Sequence, residues 1–211
     1  MNGIFNLNNR FWTFIQKMID VILLGLLALV FCIPIVTIVP SITALYYVVL
    51  KIVTDTEGRT FRDFFKSFRQ NFKQGALLSL IVSAAIGFVA YDIRYYNQSS
   101  GTIGGIFFFA YCAAGILLLC MLLHLFPLLA RFETTPMALF KNSFILVFRY
   151  FRWTLLMLAI MLAYIVSIYT LPPMPLLLFG VWVYVNCCIE TPILRDLEDN
   201  RPNSDTPQKP S

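Results

Sequence analysis

Residues 18–53 read MIDVILLGLLALVFCIPIVTIVPSITALYYVVLKIV, an apolar run interrupted by two charges, Asp20 and Lys51, and by two prolines, Pro34 and Pro40. A helix crosses the roughly 30 Å hydrocarbon layer in about 20 residues, so this run is too long for one simple span. Proline breaks helical hydrogen bonding, which divides it into one span over 18–33 and a second over 35–53. Both are short, so a re-entrant or broken helix that crosses once is the alternative. Further apolar runs follow at 76–93, 104–130 and 153–171. Pro172-Pro173-Met174-Pro175 then forces a turn, and 176–190 is the last run. The expected fold is an all-α polytopic membrane protein with six transmembrane helices, or five if the first run crosses once.

The composition agrees. Of 211 residues, 59% are hydrophobic and only 13% charged, with a mean hydropathy of +0.75. A soluble domain carries roughly a quarter charged residues, so this surface is not built for water. Five cysteines, an odd number without ligand spacing, fit neither a disulfide scaffold nor a zinc site. The net charge of +5 is explained by topology. With six spans, 15 of the 16 Lys and Arg residues fall on one side and Arg94 alone on the other; with five the division is 13 to 3. The positive-inside rule puts both termini in the cytoplasm in the six-span case. No nucleic-acid motif accompanies the charge, so no nucleic-acid partner is expected. No small-x-small cleavage site follows the first apolar run, which reads as retained. A single membrane domain is expected over residues 1–195. The polar tail 196–211, with Pro202, Pro207 and Pro210, is expected to be disordered and cytoplasmic.

Two cytoplasmic segments are amphipathic. In 58–74, GRTFRDFFKSFRQNFKQ, helical periodicity gathers Phe61, Phe64, Phe65, Phe68 and Phe72 on one stripe, with Arg62, Lys66, Arg69 and Lys73 beside it. In 137–152, MALFKNSFILVFRYFR, Phe140, Phe144, Val147, Phe148 and Phe151 share an arc flanked by Lys141, Arg149 and Arg152. Such helices lie in the headgroup layer, aromatic face down and cations toward anionic lipid, or dock a cytoplasmic partner. Phe68-x-x-x-Phe72-Lys73 aligns with Phe144-x-x-x-Phe148-Arg149, each leading into a span. The match suggests an internal repeat of two halves, a common plan among transporters.

Ionisable residues inside spans are costly and mark function. The candidates are Asp20, His124 and Glu190. Asp20, three residues after Lys17, reads as an interfacial carboxylate paired with that lysine. Glu190 ends the last run and suits the interface. His124, the one histidine, lies deeper; it is placed to bond a neighbouring helix, relay a proton or hold a polar solute. No nucleotide-binding, nucleophile-elbow or zinc-protease motif occurs, and the carboxylates are scattered. Neither an enzyme nor a cofactor is expected.

Pro40-Ser41-Ile42-Thr43-Ala44-Leu45-Tyr46-Tyr47-Val48, followed by Arg62-Asp63-Phe64-Phe65-Lys66-Ser67-Phe68, resembles the YesL family of bacterial membrane proteins. Pro127-Leu128-Leu129-Ala130-Arg131-Phe132 fits it as well, and the resemblance covers roughly residues 1–195. That family is essentially a domain of unknown function, found mainly in Gram-positive bacteria beside genes for carbohydrate importers and polysaccharide-degrading enzymes. The resemblance implies a cell-membrane protein accessory to carbohydrate or oligosaccharide uptake, with a carbohydrate ABC importer as partner, and supplies no catalytic residues. The alternative is a small-solute transporter acting on its own. The cytoplasmic loop by which ABC permeases engage their ATPase is not recognisable here.

Overall fold

The computed structural model describes residues 4–56, 59–98, 102–132, 134–170 and 174–199, with side chains from Phe11 onward. These residues form seven helices and no sheet: α1 (Ile4–Phe31), α2 (Ile38–Val53), α3 (Thr60–Asn97), α4 (Thr102–Arg131), α5 (Pro136–Arg149), α6 (Phe151–Thr170) and α7 (Met174–Asp199). All but α5 are long and apolar enough to cross a membrane. The chain is an all-α polytopic membrane protein.

The division of the first apolar run is at Pro34, not Pro40. After α1, Thr37 Oγ1 donates to the carbonyls of Phe31 (2.6 Å) and Pro34 (2.8 Å), closing a turn that includes a short 3₁₀ segment, Ile35–Thr37. Pro40 lies in the first turn of α2, where backbone N–H groups have no helical partner to lose. α1 begins well before residue 18, because 4–17 continue the same helix.

α3 is the spine, and it overturns the expectation of a separate surface helix over 58–74. Its 38 residues run without interruption through that segment and the next apolar run, a length of about 57 Å. α2 runs antiparallel along its first half. Lys51 pairs with Asp63 (3.3 Å), Ser79 Oγ accepts from the Val39 N–H (3.0 Å), and Gly75 faces Pro40 so closely that a Cβ there would lie 2.9 Å from the ring. The phenylalanine stripe is therefore divided: Phe64 and Phe68 pack against protein, while Phe61, Phe65 and Phe72 stay exposed. Phe64 is fully buried, and Phe31 of α1 meets Phe64, Phe65 and Phe68 edge-on at ring separations of 6.1, 5.7 and 5.2 Å.

α4 runs antiparallel along the second half of α3. Tyr96 stacks on Phe107 and Tyr111, Phe88 meets Tyr111, and Gln74 donates to the Thr134 carbonyl (2.6 Å). Among the described residues between 83 and 119, none is buried. This pair is a hairpin with apolar side chains on all sides, as a lipid-surrounded pair requires. α2 is the opposite case. Its residues 43–50 are all buried among α1, α3, α4 and α7, so protein covers its apolar surface. The half-buried Lys51–Asp63 pair pins α2 to α3 beside this core. Lys51→Met should lower stability by on the order of 1 kcal/mol, read as a shift in thermal unfolding of the detergent-solubilised protein.

The second basic segment behaves differently from the first. α5 ends at Arg149, the chain turns at Tyr150 (φ −113°, ψ 39°), and α6 starts at Phe151. The order span, basic helix, span thus occurs twice, fused in α3 and broken between α5 and α6. At the C-terminus, α7 passes through Pro192 to Asp199, so residues 196–199 are helical and not part of a disordered tail. Residues 200–211, Glu133 and residues 171–173, the first half of the Pro172–Pro175 turn included, lie outside the described residues.

Candidate functional site

His124, Thr154 and Glu190 are far apart in sequence and come from α4, α6 and α7. The structure brings them into one buried cluster. His124 Nδ1 lies 2.5 Å from Glu190 Oε1, and His124 Nε2 lies 2.8 Å from Thr154 Oγ1. His124 and Glu190 have no solvent exposure and Thr154 is 2% exposed. Each of the two ionisable residues sits just ahead of an in-helix proline, Pro127 in α4 and Pro192 in α7. A proline there removes one backbone hydrogen bond, and membrane helices tolerate this where neighbouring groups compensate.

The hydrogen bonds fix most of the protons. Thr154 Oγ1 donates to the Tyr150 carbonyl (3.2 Å), so it accepts from His124 Nε2–H. One proton then occupies the contact between Nδ1 and Oε1. Placed on nitrogen it gives an imidazolium–carboxylate pair; placed on oxygen it gives a neutral pair, and the heavy atoms need not move. The cluster can therefore hold or pass one proton in an apolar interior. Tyr46 of α2 flanks it: its ring stacks on Phe126 of α4 at 6.1 Å, and among the described residues its buried hydroxyl and Glu190 Oε2 each lack a hydrogen-bond partner. Cys187, one turn before Glu190, is also fully buried.

Ion pairs close the nearby end of these helices. Arg131 of α4 grips Glu198 of α7 through Nε (2.8 Å) and Nη2 (3.3 Å). Asp196 accepts from the Tyr150 hydroxyl and from Arg149 (3.4 Å). Burial, then the bond to Asp196, holds the Tyr150 phenol above its ordinary pKa, so it stays a donor. Tyr150 thus serves the cluster through its carbonyl and the rim through its hydroxyl.

The sequence candidates separate into three groups. His124 and Glu190 are partners, and Glu190 is a core residue, not an interfacial one. Asp20 is half-buried on α1 and is not bonded to them; Lys17, its expected partner, pairs instead with Asp55 beyond α2. Arg62, Lys66, Arg69 and Lys73 on α3, with Lys141, Arg149 and Arg152 around α5, are all exposed. Thr154 and Glu198 were not singled out by sequence, and Tyr46 and Arg131 stood out only within the motifs that resemble the YesL family or near a span end. The prolines next to His124 and Glu190 were the one local signal available. Among the described residues, no group of three His, Cys, Asp or Glu is arranged to hold a metal ion.

No curated protein and no solved structure matches the chain. A family model, Protein of unknown function, DUF624, matches residues 4–93, which hold α1, α2 and nearly all of α3 but none of the His124, Thr154 and Glu190 positions. Over those residues the chain is similar to this family model, whose function is unknown, in keeping with the YesL-like resemblance.

Proposed function

We propose that this protein is an accessory component of a carbohydrate or oligosaccharide uptake system in the cell membrane, with both termini cytoplasmic, and that it acts by docking a partner such as a carbohydrate ABC importer. The observation that carries the reading is the state of the first half of α3. Phe64 and Phe68 are held against Phe31 of α1, and α2 is fixed alongside through Lys51–Asp63 and Val39–Ser79, while Arg62, Lys66, Arg69 and Lys73 stand exposed. A rigid helix that presents an ordered row of cations suits a protein contact, because little side-chain and backbone ordering remains to oppose binding. The carbohydrate class comes from the YesL-like resemblance. No enzymatic step and no cofactor belongs to this reading.

A second reading, a transporter acting alone, is favoured by the buried His124–Glu190–Thr154 cluster, since intramembrane ionisable groups line solute and proton pathways. One comparison separates the two. The purified protein is reconstituted alone in liposomes and uptake of mono- and oligosaccharides is measured; in parallel the native-membrane protein is isolated with its partners. Co-purification of an ABC importer, lost in Arg62→Glu/Lys66→Glu and without uptake by the protein alone, is the expected result. Uptake by the isolated protein would sink the accessory reading.

A further inference from the structure

The break between α5 and α6 opens a cavity of about 610 Å³ lined by Arg149, Tyr150, Phe151, Arg152, Trp153 and Leu156. Its lining divides by chemistry. Arg149 and Arg152 offer two guanidinium groups at the mouth of the bend, both exposed. Phe151, Trp153 and Leu156 are exposed on the first turns of α6, a helix apolar enough to cross the membrane. Phenylalanine, tryptophan and tyrosine next to arginine at the end of an apolar helix mark the boundary between headgroups and acyl chains.

We infer that this cavity binds one anionic phospholipid, its phosphate held by Arg149 and Arg152 and its acyl chains laid along Trp153 and Leu156. Charge complementarity selects the occupant. The carboxylate given by the structure in this group is Asp196, which bonds Arg149 at 3.4 Å and also accepts from Tyr150. Arg149 is stacked over the Tyr150 ring at 5.5 Å, which orients its guanidinium. Among the described residues no carboxylate pairs with Arg152. Guanidinium forks suit phosphate oxygens, and a zwitterionic lipid would set its own cation against the two arginines. The inference is independent of the uptake proposal, since it concerns a different basic segment and would stand for a transporter as well.

The geometry also links the site to the buried cluster. Tyr150 lines the cavity, and its carbonyl accepts from Thr154, the partner of His124. Lipid binding would therefore brace the bend that holds Thr154 in place.

The test uses the full-length protein in mild detergent. Binding of phosphatidylglycerol, phosphatidylcholine and inorganic phosphate is followed by native mass spectrometry and by thermal shift, and quenching of tryptophan fluorescence is measured with acyl-brominated phosphatidylglycerol. The wild type should retain phosphatidylglycerol, bind phosphatidylcholine about tenfold more weakly or less, and show no shift with phosphate alone. Arg149→Gln/Arg152→Gln should lose that preference, whereas Arg62→Gln/Lys66→Gln, an equal loss of charge on α3, should keep it. Trp153→Leu should remove a large part of the quenching while retention of phosphatidylglycerol persists. Equal retention of the two lipids, or equal losses in the two double variants, would overturn the inference. A thermal shift with phosphate alone would replace the lipid by a free anion as the occupant.

Discussion

Replacing Gly180 with leucine should abolish the folded protein, and Gly180→Ala should cost about 3 kcal/mol. Gly180 of α7 crosses α1 at backbone contact distance. A Cβ built at Gly180 would lie 2.1 Å from the Val21 carbonyl oxygen, and one at Gly25 would lie 2.6 Å from the Gly180 nitrogen. These neighbours are backbone atoms, so no side-chain rotation relieves the clash; the helices must part. Overpacking ordinarily costs about 1–3 kcal/mol, and the upper end applies where backbone is struck. Small residues that allow such approaches are how membrane helices associate, because lipid supplies no hydrophobic drive between them. The measurement is unfolding of the purified protein in mixed detergent, with yield as a second readout. Gly87, with open space around it, is the control: Gly87→Ala should be neutral or stabilising by up to about 1 kcal/mol. A Gly180→Leu protein as stable as the wild type would refute the α1–α7 crossing.

The second large effect belongs to the buried cluster. Glu190→Ala should cost about 3 kcal/mol, because it strips the fully buried His124 of the partner that satisfies Nδ1. His124→Ala should cost a similar amount by leaving a buried carboxyl group alone. The double variant should cost much less than the sum, with a coupling energy of about 2 kcal/mol. Interhelical hydrogen bonds in bilayers average only about 0.6 kcal/mol, so a coupling near that value would demote the pair to an ordinary polar contact. Glu190→Gln is the informative companion. Its amide can donate to Nδ1 as a protonated carboxyl would, so it should retain most of the stability if the resting pair is neutral. Its unfolding midpoint should then vary less with pH than that of the wild type.

The elements that sequence reading located and those it misplaced differ in a consistent way. Span positions were legible because apolar length alone decides whether a segment can enter lipid. The bend at Pro34 was legible because proline lacks an N–H. The fusion of 58–74 with the next span was not. Nothing local forbids a helix from continuing through Gln74 and Gly75, and nothing local forces it; α2 and Phe31 clamp it straight. The opposite misplacement is at Tyr150: one amphipathic segment is expected over 137–152, but Phe151 and Arg152 belong to α6. No proline or glycine stands there, yet the helix breaks, and the Tyr150 hydroxyl bonds Asp196 of α7 at the bend. Glu190 looked interfacial because the apolar run ends beside it, but α7 continues past it through Pro192.

The sequence by itself determined that this is a helical membrane protein, roughly where its spans lie, and which few ionisable residues could matter. Those properties follow from composition and from the cost of placing polar groups in hydrocarbon, which act residue by residue. The tertiary structure decided which of these residues act together. Pairing His124 with Glu190 and Thr154, and leaving Asp20 aside, depends on how α4, α6 and α7 cross. Elsewhere in the fold, close contacts between residues distant in the chain set the crossings of α1 with α7, at Gly25 against Gly180, and of α2 with α3, at Pro40 against Gly75. Periodicity within one helix carries no information about which neighbour its face will meet.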